Sequence, residues 1–441
     1  MKKESVIANR RSASPESRSD SHGPVERRAF LARGVKVAGA LAAGGVASTA
    51  GAQARAAESI GGQFPSWMTT EGAPMRAYGQ PSKFEEPVKR FVGQLYGKVA
   101  EGAGASFTPL QSLNGTLTPN GLHFERHHNG VPDIDPARHK LLIHGLVRKS
   151  LAFDVAALTR YPMVSRTCFI ECAANSVRNT LPKAQDVACG AIHGLVSCSE
   201  WTGVPLAVLL NEAGVDAGAG WLLAEGADSA SMSRSIPLTK AFDDALIALY
   251  QNGERLRPEQ GYPLRLLLPG WEGNTNVKWL HRIKLTDGPT HTRDETSRYT
   301  DLMRDGKARQ FTFEMGVKSV ITQPSGGMTM QGPGLYELSG LAWSGAGRVT
   351  KVEVSADGGA TWRHAMLQAP VLPKSLTRFH LPWNWNGAPA MLQSRATDEK
   401  GNVQESRQSW TAQYSPANRL HNTMIQTWAV NADGSVKNVY A

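Results

Sequence analysis

Near residue 315 the spacing of apolar residues changes, and no single packing scheme fits both sides of the change. From about 315 onward apolar and polar residues alternate between frequent turns. "GLYELSGLAWSG", "RVTKVEVSADGGATW" and "MLQSRATDEKGNVQ" read as strands, broken at Asp-Gly-Gly and Lys-Gly-Asn. Those residues suit tight hairpin turns, and short strands so spaced suit an antiparallel β-sandwich of immunoglobulin type over 315–441. The likeness is architectural, because the Cys…Trp…Cys pattern of true immunoglobulins is missing. From 119 to 314 short strands mix with helical pieces, an α+β texture. "HKLLIHGLV", "PLRLLLPG" and "VKWLHRIKL" predict strands, and "PLAVLLNEAGV" predicts a helix from Pro205 to Gly214. Residues 57–118, rich in Gly, Pro, Ser and Thr, read as an extended lead-in that wraps over a domain.

The chain has 441 residues and a formal charge of +10, which raises the question of nucleic acid. Residues 1–56 hold ten Lys/Arg against four Asp/Glu, so +6 of that charge sits in one segment. No later basic run is interleaved with aromatics, and nucleic acid is set aside. The segment itself, "ERRAFLARGVKVAGALAAGGVASTAGAQARA", reads as a twin-arginine signal peptide with Arg27 and Arg28 and a small-residue cleavage region near Ala54 or Ala56. Its weakly apolar run is too short and glycine-rich for a membrane span. The expectation is export of a folded protein to the periplasm, the route that suits a chain loaded with a bulky cofactor. Neither a dinucleotide-binding glycine fingerprint nor a phosphate-cradling Gly-Lys-Ser/Thr loop occurs.

Four cysteines stand at 168, 172, 189 and 198. Their spacings match neither structural zinc nor iron–sulfur patterns, even with His193 as an added ligand. Disulfides are a second reading in an oxidising compartment, with Cys189–Cys198 closing a small loop. A third makes one cysteine a lone thiolate ligand to a soft-metal cofactor. The context of Cys172 favours the third. "CFIE" is an apolar run that ends at "CAANS", a small polar loop, which aims this thiol at a cleft. For Cys168 and Cys189 the plain reading is a buried, inert thiol.

Several blocks in order, from about residue 119 to the end, resemble the sulfite oxidase family of molybdenum–pterin enzymes. "HFERHHNGVPDIDPARHKLLIHGLV" resembles the family's Arg-Asn-His-x-x-x-Pro block, and "ECAAN" its Cys-Ala-Gly-Asn. "WTGVPLAVLLNEAGV", "GYPLRLLLPG" and "VKWLHRI" continue the pattern. "LAWSGAGRVTKVEVSADGGATW" is similar to its dimerisation domain. The resemblance implies an α+β molybdopterin domain over 119–314 and an immunoglobulin-like dimerisation domain over 315–441. Cys172 would be the thiolate ligand of molybdenum. Arg126 would face the anionic substrate and Tyr299 would assist it. His128, Arg265, Lys278, Asn175 and Arg178 would hold the pterin and its phosphate. Taken as surface or core residues, Arg126, Tyr299 and Lys278 would each have an ordinary structural role; the ordered blocks tip the balance.

Departures from the family pattern bear on substrate. Ala174 replaces a glycine, His127 an asparagine, Gln260 a common histidine and Thr275 a common arginine. Val187 stands where animal members place a tryptophan beside sulfite. Within the family this resembles the sulfane dehydrogenase branch, which implies a persulfide on a sulfur-carrier protein as substrate, with free sulfite as the alternative. No Cys-x-x-Cys-His haem motif occurs, so the expected acceptor is a separate cytochrome c, in a homodimer or a heterotetramer with that cytochrome. A contrasting reading is a metal-free β-sandwich binding protein.

Overall fold

The computed structural model describes residues 65–93 and 102–440; the twin-arginine segment lies outside the described residues. Period-two stretches form strands where expected. Lys140–Gly145, Arg265–Leu267 and Leu280–Thr286 correspond to the three quoted strand segments, and the helix Leu206–Ala213 is bounded by Pro205 and a left-handed Gly214.

The N-terminal half is built on two five-stranded sheets. One runs Glu254–Arg255, Leu246–Gln251, Val196–Pro205 and Val164–Glu171, with Arg265–Leu267 also paired to Leu246–Gln251. The other runs Leu151–Asp154, Lys140–Gly145, Leu280–Thr286, Trp221–Gly226 and Ser233–Pro237, and its one parallel pair joins Leu280–Thr286 to Lys140–Gly145. Leu206, Leu210, Ile247, Leu266 and Ile283 pack in the core beside these sheets. A small sheet of Phe91–Gly93, Gly104–Phe107 and Glu125–His127 pairs Ala105 with Arg126.

The lead-in divides in two. Residues 65–93 are almost wholly exposed, with Trp67 and Phe84 each 80% accessible. The stretch is nonetheless tied to the domain: the Tyr78 hydroxyl donates to Glu254 at 2.8 Å, Arg90 donates to His123 O at 3.1 Å, and Phe91–Gly93 pairs with Gly104–Phe107. Burial begins at Gly104–Phe107: Leu110 is buried among sandwich residues, and Gln111 accepts from the Gly190 N–H at 2.8 Å.

The C-terminal half is a β-sandwich. Lys318–Gln323, Gly334–Trp343, Thr377–Trp385 and Met366–Leu367 form one sheet. Arg363–His364, Val349–Ser355, Ala390–Asp398, Thr427–Val430 and Val436–Val439 form the other. Val320, Leu341, Val352, Phe379, Leu392 and Trp428 fill the space between them. This core also takes in Phe169, Ile192 and Val196 from the N-terminal half, so apolar packing is continuous across the two.

A polar tie crosses the same boundary. Lys318, 1% exposed, places Nζ 3.3 Å from Glu171 Oε1 and 2.6 Å from Ser176 Oγ. The Trp343 indole donates to Glu171 Oε2 at 2.6 Å. Glu171 directly precedes Cys172. All four cysteines are free and buried. Cys168 shares a cluster with Cys172, whereas Cys189 and Cys198 pack into the sandwich-side core, Cys198 with its sulfur 3.3 Å from Ser375 Oγ.

Candidate active site at Cys172

Cys172 follows the strand Val164–Glu171, whose last four residues are buried, and it stands where two cavities meet. The chain turns at once: the Asn175 N–H donates to the Cys172 carbonyl at 2.8 Å, and the Cys172 N–H donates to Leu195 O at 2.9 Å. Gly273 packs over the turn, and a Cβ there would lie 3.0 Å from Glu171 O and 3.4 Å from Cys172 Cα. Burial pushes the Cys172 thiol up, while the Ala174 N–H and Arg126 favour the thiolate. A soft cation at the sulfur would decide that contest, because a coordinating thiol is deprotonated.

The inner cavity is lined by Arg126, Arg265, Lys278, His123, Gln260 and Asn274 among others. Arg265 is buried; it donates to Gln260 O at 3.0 Å and Asn276 O at 2.9 Å and stacks over Trp201. Burial lowers its pKa to about 9. Lys278 is half-buried, yet desolvation by its surroundings and the nearby Arg265 hold its ammonium pKa well below the ordinary value. Its Nζ donates to His127 Nδ1 at 2.8 Å and to Glu259 O at 3.1 Å. The His127 Nε2–H then donates to Glu125 at 2.8 Å, and Glu125 pairs with Arg90. Burial brings His127 down to about 4 and His123 to about 3, so both rings are neutral near pH 7.

The outer cavity is walled by residues 296–300 and 417–420 together with Leu302 and Ala308. Arg126, His128, Cys172 and Tyr299 line both cavities. Burial, then Arg126, lowers His128 to about 3. The neutral ring accepts from the Tyr299 hydroxyl, with Oη 3.1 Å from Nε2. Burial raises the Tyr299 phenol, which keeps its proton.

Six of the residues expected at the site are thus together: Cys172, Arg126, Tyr299, His128, Arg265 and Lys278. Asn175 and Arg178 line neither cavity. Asn175 is buried behind the turn, donating to Glu171 at 2.8 Å and accepting from the Ser176 and Leu195 N–H groups. Ser176 then takes a left-handed φ of 66°, which redirects the chain. Arg178 bonds Gln185 and lies over the Phe91 ring. Val187 is another correction: it packs against the sandwich core, so its size does not set the room beside Cys172. Thr275 turns inward onto Glu272 O, whereas Gln260 does line the inner cavity. Sequence reasoning missed Asp228, Asn274 and Trp279, which line the inner cavity from loops without motif spacing.

The residues present fit a molybdenum–pterin group. Three buried polar atoms at the inner cavity, His123 Nε2, Arg265 Nε and Asn274 Oδ1, have no partner within the protein. Such atoms call for a bound donor or acceptor. The cavity thus pairs unsatisfied donors and acceptors and a cation, Arg265, with a single thiol, the chemistry of a phosphorylated heterocycle carrying a soft metal.

Comparisons with known proteins agree with that geometry. Residues 128–293 match the model for an oxidoreductase molybdopterin binding domain, and 309–428 that for a Mo-co oxidoreductase dimerisation domain. Chicken sulfite oxidase (Gallus gallus) is 30% identical over 65% of this chain and 68% of its own length. Nitrate reductase [NADH] of Ulva prolifera is 30% identical over 67% of this chain, which spans 39% of that protein; for mouse mitochondrial sulfite oxidase (Mus musculus) the span is 51%. The chain thus spans about half or less of the curated relatives it first matches. The crystal structure of the sulfane dehydrogenase SoxCD from Paracoccus pantotrophus superposes with a TM-score of 0.83 at 46% identity, over 86% of this chain and 98% of that one. This chain belongs to the sulfite oxidase family of molybdenum–pterin oxidoreductases.

Proposed function

We propose that the chain is the catalytic subunit of a periplasmic sulfane dehydrogenase, oxidising sulfane sulfur held as a persulfide on a carrier protein and passing electrons to a c-type cytochrome. The observation that carries this reading is the 46% identity to the SoxCD chain, against 30% to chicken sulfite oxidase. The outer cavity supports it, since it is the larger of the two and meets the inner one at Cys172 and Arg126. The twin arginines support the location, and the Mo-co dimerisation match supports an assembly, a homodimer or a heterotetramer with the cytochrome.

Roles follow from position. Cys172 would hold molybdenum, and Arg265 and Lys278 would hold the pterin and its phosphate, with His128 bordering them. When bound, the group supplies oxygen-atom transfer and two-electron exchange. Arg126 presents a planar cation at the cavity junction, suited to a sulfur oxyanion. Tyr299, protonated and bonded to neutral His128, holds a proton where that oxyanion forms. The backbone at Asn175 and the side chain of Asn175 keep the Cys172 turn in place.

Cytochrome c reduction by the cofactor-loaded protein tests the reading. A persulfidated carrier peptide is expected to drive it with a kcat/KM about tenfold or more above that of free sulfite. Equal or better turnover of sulfite overturns the sulfane assignment in favour of a sulfite dehydrogenase. No reduction with either, from protein carrying about one molybdenum per chain, overturns both.

A further inference from the structure

His421 lies in neither cavity, yet its contacts reach three segments that stand beside Cys172 and Tyr299. Its side chain is 5% exposed and sits between two carboxylates. Nδ1 donates to Asp301 Oδ2 at 2.8 Å, and Nε2 lies 3.3 Å from Glu272 Oε2, in ion-pair range but off line for a hydrogen bond. Its backbone N–H donates to Ala173 O at 2.8 Å, within the Cys172 turn. These three contacts reach three segments. Ala173 follows Cys172; Glu272 precedes the Gly273–Asn274 turn that covers Cys172; Asp301 lies two residues past Tyr299.

The surroundings hold the ring charged and fixed. Burial alone would lower its pKa, but the hydrogen bond to Asp301 and the proximity of Glu272 raise it to about 10. Asp301 also accepts from Thr312 and from Asn418 at 3.3 Å, and Glu272 is shared with Arg234 at 3.0 Å. Arg234 in turn lies over the Tyr299 ring, 5.1 Å from its centroid. The His421 carbonyl accepts from the Trp410 indole at 3.0 Å. The residue holds a left-handed φ of 50°, unusual for a non-glycine and maintained only where surrounding contacts over-determine it. The segment just before it, 417–420, is a wall of the outer cavity.

We infer that His421 is a positioning residue that locks the Cys172 turn, the Asn274 turn and the Tyr299 segment to one another and to the outer wall. The inference rests on Cys172 being the metal-side thiol. The lock does not depend on which sulfur compound is oxidised. A neutral side chain at 421 leaves two buried carboxylates with less counter-charge and unpins the backbone whose N–H holds the Ala173 carbonyl, so that the turn carrying the thiol loosens. Such loosening opens the site locally without unfolding the chain.

The test follows Cys172 itself. Full-length protein made without molybdenum cofactor is labelled with iodoacetamide, and alkylation of each cysteine is timed by mass spectrometry. His421→Gln is expected to speed Cys172 labelling by about tenfold relative to Cys168, Cys189 and Cys198, the signature of a local opening of that turn. Phe379→Leu, in the sandwich core, serves as the control for general loosening and is expected to leave Cys172 labelling unchanged. In cofactor-loaded protein, His421→Gln is expected to lower kcat by about tenfold while KM moves less, as for loss of alignment in the transition state. Asp301→Asn cuts the same tie from its other end and carries the same labelling expectation if His421→Gln does not fold. Wild-type labelling rates in the tested variant, or an equal rise in Phe379→Leu, overturn the inference. A failed persulfide assay with the labelling result intact would instead count against the substrate reading alone.

Discussion

The two cavities that meet at Cys172 differ in what their walls ask of an occupant. The inner one carries Arg265, Lys278 and unpartnered polar atoms, with their neighbouring histidines stripped of charge by burial. The outer one is larger and is walled by segments at 296–300 and 417–420 that belong to different halves of the chain. The contrast teaches that residence and passage are separated in space. Unsatisfied donors and buried cations suit a group that stays, whereas a roomy, loop-walled entrance suits one that comes and goes. Only Arg126, His128, Cys172 and Tyr299 serve both.

The sharpest way to break the comparison is at the shared sulfur. Cys172→Ser exchanges a soft ligand for a hard one and should cost about a thousandfold or more in turnover, with the thermal midpoint little changed. Activity within about tenfold of wild type would mean that the junction is not the reaction centre. A contrast between the cavities should give smaller effects of opposite kind. Lys278→Met is expected to lower molybdenum per chain several-fold while turnover per bound molybdenum stays within about tenfold. Ala417→Trp is expected to leave molybdenum content alone and to raise KM about tenfold for a carrier peptide, and less for sulfite. Matching behaviour of the two variants would erase the distinction between inner and outer.

The smallest effect is on stability against pH. His123, His128 and His193 are held near 3 and His127 near 4, mainly by burial, while unfolded histidine titrates near 6.5. Below 6.5 the unfolded chain takes up protons that the folded chain refuses, so stability is lost as pH falls toward 4, at up to about 1.4 kcal/mol per pH unit for each such ring. His421, raised to about 10, has the opposite sign: its contribution is present below 6.5 and fades as pH rises toward 10. The melting temperature of cofactor-free protein should peak near pH 6.5 and fall faster on the acid side. A flat profile from pH 5 to 7 would contradict the neutral, buried state of these rings.

Much of this architecture was legible in the sequence because it is written in local periodicity. The sandwich followed from alternation and turn residues, and the helix Leu206–Ala213 from the proline and glycine that bound it. The Cys172 thiol at the cavity junction was legible for a related reason: an apolar strand that stops at a small polar loop places its last side chain at an edge. Arg126, Lys278 and Tyr299 came through ordered motifs. Asn175 and Arg178 line neither cavity: the Asn175 side chain turns back onto Glu171 and the Leu195 N–H, and Arg178 follows the left-handed Ser176 toward Gln185. Val187 went astray similarly, its loop lying on the sandwich core. His421 had no local signal at all, since its three partners come from positions 173, 272 and 301 and meet only through tertiary structure.

The buried contact between Lys318 and Glu171 sets a limit on modularity. The matched domain models divide the chain near residue 300, and a gene editor would place a cut there. Severed at that point, the N-terminal piece keeps the Glu171 carboxylate beside Cys172, with the Asn175 amide as a donor, but loses the lysine and the indole that complete its pairing. A carboxylate that has lost its counter-charge is a penalty for an excised fragment to carry. Shuffling of catalytic halves among sandwiches is therefore constrained to partners that bring a cation and a donor to this one spot. The two halves must be engineered as a pair.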